Sequence, residues 1–584
     1  MRTKLKKAAA AALITSMLMS FNCSAVLADD MQEVTIDNRY PATLNGPLQV
    51  KVNGFLSEHT LSGTRIGIQV KMYNISNDTV RVPDYEVRIL TENGAKYVLK
   101  GSADNAVSVP PLSNINLSYL AQIDLPVNLK PTDLVWIDVN KDVYPKQETT
   151  LLDLPVSNLV WYGDNSAITD ASAVKAWGET FTIPSVDSAL TYTPVSLTTD
   201  FKDQTPVQLI KLLVQNPGAK SEPIPPIVLN GKSASQIYKG SRSDQSVTNL
   251  DPGEKKYIYY SIPTDLDTQL SSFTLSTVET YVTPNRADVS AAVSYAIGRL
   301  SIGLPTAEQA SNDSTKPIAY TMNTTLPIDP INNVVNPNIS VSVVDLQLYE
   351  NKGMGYQTGI AKLKFSNQSD KPLPVPQFAA ELVGSGFSYA GTRNNATSTL
   401  IVPGTDYVVT YSFVLPLKDA KEQYVLRLID QKTAAPYKVT FSQAIVNVSH
   451  PAQDPLKAAL YPYELSIHDW ALSTLAGLSQ ATQSYAYSYK LSINMDLVSN
   501  IPVMVDSKFN KLLMELNNAN GRTIATTTLD LNGDNRLTTG QQLIYFKDTQ
   551  SDQLEYPLTL NLYEVIDTPN GPARRLVSTL QQGK

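Results

Sequence analysis

The sequence predicts an all-β protein whose exported part is a tandem array of antiparallel β-sandwiches. Three observations favour this fold class: apolar and polar residues alternate with a period of two, an asparagine–proline spacing recurs three times, and long helical periodicity is scarce. A strand with one apolar and one polar face is typical of an antiparallel sheet that covers a core on one side only.

The alternation is clearest in five short segments where every second residue is apolar. These segments are Leu48–Val52, Ile66–Met72, Val409–Phe413, Tyr424–Leu428 and Leu558–Leu562. Each predicts a half-buried strand.

Repeated spacings indicate three copies of one structural unit. An asparagine precedes a proline by nine residues at Asn74/Pro83, Asn216/Pro225 and Asn367/Pro376. A second proline precedes a tyrosine by eight residues at Pro111/Tyr119, Pro252/Tyr260 and Pro403/Tyr411. The first proline suits a sheet edge, and the second opens a turn before a strand with a buried tyrosine. A diverged fourth copy is indicated by Leu491–Leu497, Asn520–Gly521 and Thr539–Phe546.

The N-terminus predicts a cleaved export signal at residues 1–28. Four basic residues precede a short apolar run, Ala8–Met19, and small residues at 26–28 offer a cleavage site. Cys23 raises the alternative of a lipid anchor, but Ser20 and Asn22 do not fit the usual acylation motif.

Together these features predict four domains and their connections. The predicted boundaries are 33–157 for the first sandwich, 158–185 for a linker that could form a short helix, 186–306 for the second sandwich, 307–337 for an extended linker, 338–450 for the third sandwich, 451–460 for a joint, and 461–584 for a diverged fourth sandwich.

Composition excludes several function classes. Cys23 is the single cysteine and falls in the signal, so the mature chain has neither disulfides nor a thiol nucleophile. The net charge of −7 becomes −11 once the four basic residues of the signal are removed, which disfavours nucleic acid as a partner. No later segment is apolar enough to span a membrane. We expect a secreted or extracellular protein, either released or held on the cell wall.

The repeated unit resembles the immunoglobulin-like extracellular domains of Gram-positive secreted proteins, including a secreted-antigen-like sandwich of unknown function. The resemblance rests on Tyr73-Asn74-Ile75-Ser76 and on the stretch from Phe365 to Pro372, while the second copy departs with Asn216-Pro217-Gly218. It implies four immunoglobulin-like sandwiches and no catalytic residues.

One loop is a candidate calcium site. Asp530, Asn532 and Asp534 place oxygens at the first, third and fifth positions of a calcium loop, although Asn535 replaces the usual glycine and Gln541 the closing acid. The competing interpretation is a plain loop, because Asp, Asn and Gly favour turns. No other cofactor is expected.

Tyr485, Tyr487 and Tyr489 form a candidate ligand-binding stripe on one strand face. Such a stripe could stack on sugar rings, or it could point into the core, since the opposite face carries Ser488 and Lys490.

No residue pattern predicts catalysis. Ser172 and Lys175 have the spacing of a serine–lysine nucleophile pair, but no Lys-Thr-Gly element follows. The leading hypothesis is a multidomain binding or spacer protein whose partner is a cell-wall polymer, a polysaccharide or another surface protein. The alternatives are an accessory module of a polysaccharide hydrolase and a calcium-stiffened adhesin. The sequence leaves open the oligomeric state, the geometry between domains, and internal lysine–asparagine crosslinks.

Overall fold

The computed structural model describes a chain of β-strands joined by turns. It describes residues 40–582 except for 125–128, 164–165, 167, 169–170, 245–246, 285–291, 307–308, 310–316, 352, 395–396, 452–453, 479–484, 500–501, 507–508, 534–535 and 552–554. These residues form 41 strands and two 3-10 helices, Ala171–Ala173 and Leu417–Asp419, and none of these elements is an α-helix. The all-β fold class is confirmed. The predicted signal and Cys23 lie outside the described residues.

The first unit has eleven strands arranged around one apolar core. They are β1 (Ala42–Asn45), β2 (Leu48–Thr60), β3 (Gly63–Asn74), β4 (Val80–Arg81), β5 (Glu86–Thr91), β6 (Lys96–Gly101), β7 (Ser108–Val109), β8 (Asn114–Ile123), β9 (Pro131–Asn140), β10 (Gln147–Pro155) and β11 (Val160–Trp161). The sheet order is β1-β2-β3-β8-β6-β5-β9-β10, with β11 on β2 and a separate β4-β7 pair. Ile68 and Trp136, from opposite parts of this order, share the core.

The second unit has two main sheets. Its strands are β12 (Val174–Lys175), β13 (Thr191–Lys202), β14 (Thr205–Gln215), β15 (Glu222–Pro223), β16 (Ile227–Ser233), β17 (Ile237–Tyr238), β18 (Ser241–Arg242), β19 (Asn249–Leu250), β20 (Lys255–Pro263), β21 (Leu270–Val282) and β22 (Ala292–Gly303). The sheets are β12-β22-β21-β16-β17 and β13-β14-β20-β18, with a small β15-β19 pair.

The third unit repeats the arrangement of the first. Its strands are β23 (Ile318–Ala319), β24 (Ile339–Glu350), β25 (Tyr356–Asn367), β26 (Leu373–Pro374), β27 (Ala379–Gly384), β28 (Phe387–Arg393), β29 (Leu400–Ile401), β30 (Asp406–Pro416), β31 (Gln423–Asp430) and β32 (Val439–Asn447). The main sheet runs β23-β32-β31-β27-β28-β30-β25-β24, and β26 pairs with β29.

The fourth unit has two four-stranded sheets. Its strands are β33 (Lys457–Leu460), β34 (Tyr463–Leu478), β35 (Tyr485–Ser499), β36 (Val503–Met504), β37 (Lys511–Asn517), β38 (Thr523–Asp530), β39 (Gly540–Ser551), β40 (Leu558–Thr568) and β41 (Gly571–Gln582). The sheets are β33-β34-β35-β39 and β38-β37-β40-β41, while β36 joins β30 of the third unit. No helix in the described part of the chain is long and apolar enough to cross a bilayer.

Segments that the sequence assigned to linkers also contribute to the cores. In 158–185, Trp177 and Phe181 are buried in the second unit, and the short helix is the 3-10 turn at Ala171–Ala173. In 307–337, Leu326 and Val335 are buried in the third unit. The connections therefore leave little free chain between neighbouring units.

The repeated asparagine is a buried clip inside each of the first three units. Its side-chain amide donates to the carbonyl four residues later and to another carbonyl 34 or 35 residues later, and its Oδ1 accepts the amide hydrogen two residues later. These residues are Asn74, Asn216 and Asn367. The clip ties the end of one strand to the turn before another, which explains the fixed spacing to the second proline.

That turn places one residue in the left-handed region of backbone conformation. It is glycine in two units, Gly253 and Gly404, but Leu112 in the first, with φ of 47°. A side chain in this region costs about 1–2 kcal/mol, since Cβ crowds the carbonyl.

Replacing Leu112 with glycine is therefore expected to stabilise the first unit by about 0.5–1 kcal/mol, after the entropy cost of glycine in the unfolded chain. Leu112 is 70% exposed, so little buried apolar area is lost. Thermal unfolding of the mature chain measures the effect. Leu266→Gly, in an exposed turn without positive φ, is the control and should destabilise. Equal losses in both variants would contradict the prediction.

Candidate functional site

Consecutive units meet through the same pair of surfaces at three joints. We define the docking face as the outer face of the first sheet of a unit, formed by β2-β3-β8, β13-β14-β20, β24-β25-β30 or β34-β35-β39. We define the docking hairpin as the last hairpin of a unit, β9–β10, β21–β22, β31–β32 or β40–β41. The docking hairpins of units two, three and four pack on the docking faces of units one, two and three.

Each joint has a small apolar cluster. The cluster at the first joint is Leu56, Trp161, Tyr281, Tyr295 and Ile297. The cluster at the second joint is Val207, Leu209, Tyr259, Ala434 and Tyr437. The cluster at the third joint is Tyr349, Ile360, Ile566 and Ala573. Gly67 permits close approach at the first joint, because a Cβ there would lie 2.5 Å from the Tyr295 ring.

A β-bulge recurs at the same place in the first long hairpin of all four units. It lies between Val52 and Gly54, Pro194 and Ser196, Val343 and Asp345, and Ile467 and Asp469. In each of these pairs of residues, the second one pairs across the hairpin with a residue that we call the bulge partner. The bulge partners are Gln69, Lys211, Lys362 and Asn494.

The first three bulge partners are buried polar residues that reach an acid of the following unit or the segment leading into it. Gln69 donates to Glu279 at 2.7 Å. Lys211 lies 3.9 Å from Asp329 and over the Tyr257 ring. Lys362 reaches Glu564 of the fourth unit. A buried polar group needs a hydrogen-bonding or oppositely charged neighbour. Each of these bulge partners gains that neighbour only when the next unit is docked correctly.

The third joint centres on an ion pair between Lys362 and Glu564 that is fully buried. Their charged atoms are 2.7 Å apart. The other carboxylate oxygen accepts from the Tyr349 hydroxyl at 3.0 Å and from the Arg575 guanidinium at 2.7 Å. Burial alone would raise the pKa of Glu564, but the two cations lower it to about 2. The carboxylate is therefore ionised and saturated with donors.

The alternating segments in β2, β31 and β40 are half-buried as predicted, whereas those in β3 and β30 are buried on both faces. Both faces of β3 are buried over most of its length, including Gln69 and Lys71 on the polar face. The physical reason is that the second unit covers that face, and its Asp187 pairs with the Lys71 amine. The residue types of β3 still alternate because its polar face contacts polar groups of the second unit instead of water.

A cleft of about 590 Å³ lies at the first joint. Its walls carry apolar rings and several polar groups, and its size falls in the usual range for small-ligand sites between domains. Several lining residues offer polar groups, among them Asn53, Ser172, Lys175, Thr180, Ser185 and Arg299.

The two cations of the cleft are both engaged with protein groups. The Lys175 amine donates to Glu179 at 2.9 Å, and this bond lowers the pKa of Glu179. The Arg299 guanidinium lies 5.1 Å from the centre of the Trp161 ring. Lys175 is thus paired with an acid, although it shares the cleft with Ser172. Hydroxyl and amide groups beside two engaged cations suit a neutral polar ligand such as a sugar better than a strong anion.

The candidate calcium loop lies beside the third joint. Asp530 ends β38, and its carbonyl accepts the amide hydrogen of Leu537. The Asn532 amide donates to the backbone carbonyls of Val505 and Asp506. Asp534 lies outside the described residues, and no cluster of three or more acidic, histidine or cysteine ligands occurs among the described ones. The Asn532 side-chain amide is therefore engaged in hydrogen bonds within the fold. The calcium hypothesis stays a prediction.

The tyrosine stripe runs from the core to solvent. Tyr489 is buried in the core of the fourth unit, Tyr487 is half-buried, and Tyr485 is 62% exposed. The hairpin β34–β35 extends beyond the apolar core, so its far end is uncovered. There Tyr485 pairs with Leu478, which is exposed too. The stripe therefore offers one free aromatic ring with an apolar neighbour.

Comparisons with known proteins do not identify the chain. No family model matches the sequence, and no curated protein does. A DUF4785 family protein from Legionella pneumophila is 13% identical with a TM-score of 0.16, over 66% of this chain and 96% of that one. Dimeric latent PorU from Porphyromonas gingivalis is 9% identical with a TM-score of 0.13, over 84% of this chain and 42% of that one. Scores this low indicate neither a shared family nor a shared function.

Proposed function

We propose that the chain is a secreted or cell-surface protein that acts as a stiff multidomain spacer and binding array. Residues 1–28 would direct export and be removed, and the four units would be immunoglobulin-like sandwiches in tandem. The observation that carries this proposal is the joint that recurs three times, with an apolar cluster and a buried polar contact at each. Interfaces of this kind oppose hinge motion, because bending would separate buried polar groups from their partners and expose the apolar clusters to water.

The partner we propose is a polysaccharide of the cell wall or the surroundings. Two surfaces support this class: the exposed Tyr485 ring beside Leu478, and the cleft at the first joint with its hydroxyl and amide groups. Aromatic rings stack on the apolar faces of sugars, while hydroxyls and amides satisfy sugar hydroxyls.

A sedimentation assay with insoluble polymers tests this function. The mature chain, residues 29–584, is incubated with purified peptidoglycan, secondary wall polymers and plant glycans, and the bound fraction is measured. Saturable binding to one polymer class is the expected result. Absence of binding to every polymer, together with binding to a surface protein, would overturn the choice of partner.

Replacing Tyr485 with alanine is expected to weaken binding to that polymer about 2- to 13-fold, the loss for one aromatic contact of about 0.5–1.5 kcal/mol. The exposed ring contributes little to the core, so thermal stability should stay unchanged. Phe201→Ala is the matched control, since Phe201 is an exposed aromatic residue of the second unit. Equal affinities for the two variants would exclude Tyr485 from the binding surface.

A further inference from the structure

The three joints leave one half of the same interface uncovered in the first unit and the other half in the fourth. The docking hairpin of the first unit, β9–β10, contacts no docking face in the described part of the chain. The docking face of the fourth unit, on β34, β35 and β39, is likewise exposed there. The uncovered docking hairpin and the uncovered docking face have the same positions in their units as the hairpins and faces that meet at the three joints.

Strand register shows that the docking face of the fourth unit is equivalent to an occupied one. In the first unit, Gly67 precedes the bulge partner by two residues and pairs with Leu120. In the fourth unit, Ser492 holds that position and pairs with Leu543. Leu120 packs against the second unit at the first joint, whereas Leu543 is 54% exposed.

Further exposed apolar groups surround Leu543 on this face. Tyr545 is 51% exposed two residues along β39, and Leu475 is exposed on β34. The bulge partner Asn494 is exposed as well, although its equivalents in the other three units are buried. A sheet face with this composition is unusual for contact with water alone and marks an interaction surface.

The docking hairpin of the first unit also exposes apolar side chains. Tyr144 in its loop is completely exposed, at 100%, and the neighbouring Val143 is partly exposed. In the other units, apolar residues at this hairpin are buried against the preceding unit; they are Tyr281, Tyr437 and Ile566.

We propose that copies of this chain associate head to tail, with the docking hairpin of one copy packed on the fourth-unit docking face of the next. The contact would repeat the geometry of the three joints and bury Tyr144 against Leu543 and Tyr545. It is heterologous, since two different surfaces meet, and such contacts extend into linear assemblies unless the rotation closes a ring. Without a covalent tether the contact lacks the millimolar effective concentration that the joints have, so association is concentration-dependent.

Sedimentation velocity of the mature chain tests the proposal. Wild-type protein should form dimers and longer species as its concentration rises toward about 0.5 mM, near the effective concentration of a tethered domain. Tyr144→Asp removes the hairpin half and Leu543→Asp removes the face half, so each variant alone should remain monomeric. An equal mixture should form a one-to-one dimer and nothing longer, because only one intact pair of surfaces is left. Leu266→Asp, which changes an exposed leucine away from both surfaces, should associate like wild type.

Three outcomes would overturn the proposal. They are a wild-type chain that stays monomeric through the whole concentration series, a single variant that still self-associates, and a mixture that forms no dimer. Circular dichroism and thermal unfolding establish that each variant is folded. Both changed side chains are exposed, so folding should be preserved.

Discussion

Replacing Glu564 with glutamine should destabilise the third joint by about 3–5 kcal/mol, the usual cost of removing one member of a buried ion pair. The Lys362 ammonium would remain fully buried, and its remaining acidic neighbour would be Asp345 at 3.8 Å. Differential scanning calorimetry of the mature chain measures the change as a lower transition for the third and fourth units. Lys511→Gln is the matched control, because it breaks the more exposed Lys511–Asp567 pair in the same unit.

The control should lose no more than about 1 kcal/mol, since exposed ion pairs contribute little. The double variant Lys362→Met with Glu564→Leu should recover much of the lost stability, because an apolar pair of similar volume needs no charge compensation. Equal transitions for Glu564→Gln and the control would contradict the assigned role of the buried pair.

Acid should weaken the same joint. The pKa of Glu564 lies at about 2 in the folded chain and near 4.5 when unpaired. Its folded-state pKa is depressed, so the stability it contributes is present above pH 4.5 and is lost as the pH falls toward 2. Asp345 acts in the opposite sense, because burial raises its pKa. The Glu564→Gln variant should not show the part of the acid-induced loss of stability that comes from protonation of Glu564. Melting temperatures of the variant and the wild-type chain, measured over a series of pH values, would reveal the difference.

Replacing Asn367 with alanine should cost about 2–5 kcal/mol in the third unit, because several buried backbone groups lose their partners at once. The carbonyls of Lys371 and Ile401 lose the amide donor, and the Ser369 amide hydrogen loses its acceptor. Urea unfolding measures the loss. Asn520→Ala, at an exposed hairpin asparagine, is the control and should change stability by less than about 0.5 kcal/mol.

The aspartate variant separates the two halves of the clip. Asn367→Asp keeps the oxygen that accepts from Ser369 but removes the donor that binds the two carbonyls. We expect it to destabilise nearly as much as alanine, because an acceptor would then face two carbonyl oxygens. A variant as stable as wild type would show that the clip's amide donor contributes nothing.

The fold class and the repeated asparagine–proline spacing could be predicted from sequence because both depend on contacts within one unit. Period-two alternation follows from the strand geometry, and the spacing of Asn74, Asn216 and Asn367 follows from a local hydrogen-bond pattern. Turn residues such as Gly94 and Gly521, both with positive φ, mark the hairpins for the same reason.

The joints could not be predicted because they depend on contacts between units far apart in sequence. Lys362 and Glu564 are separated by 202 residues, and the alternation alone does not distinguish Lys362 from a solvated lysine on a strand. A signal does exist: bulge partners lie five residues before the clip asparagine in the first three units, at Gln69, Lys211 and Lys362. The tyrosine stripe was open to two interpretations because the alternation does not reveal where the hairpin passes beyond the core.

Distances between spin labels across each joint test the central claim that the units are locked at fixed angles. Residues 29–584 contain no cysteine, so pairs of cysteines can be introduced into this part of the chain at exposed sites without background. Suitable pairs are Lys100/Lys255, Lys255/Lys418 and Lys418/Thr526. Pulsed electron paramagnetic resonance should give one narrow distance distribution for each pair, and Glu564→Gln should broaden the Lys418/Thr526 distribution alone. Broad distributions across all three joints in the wild-type chain would contradict the account.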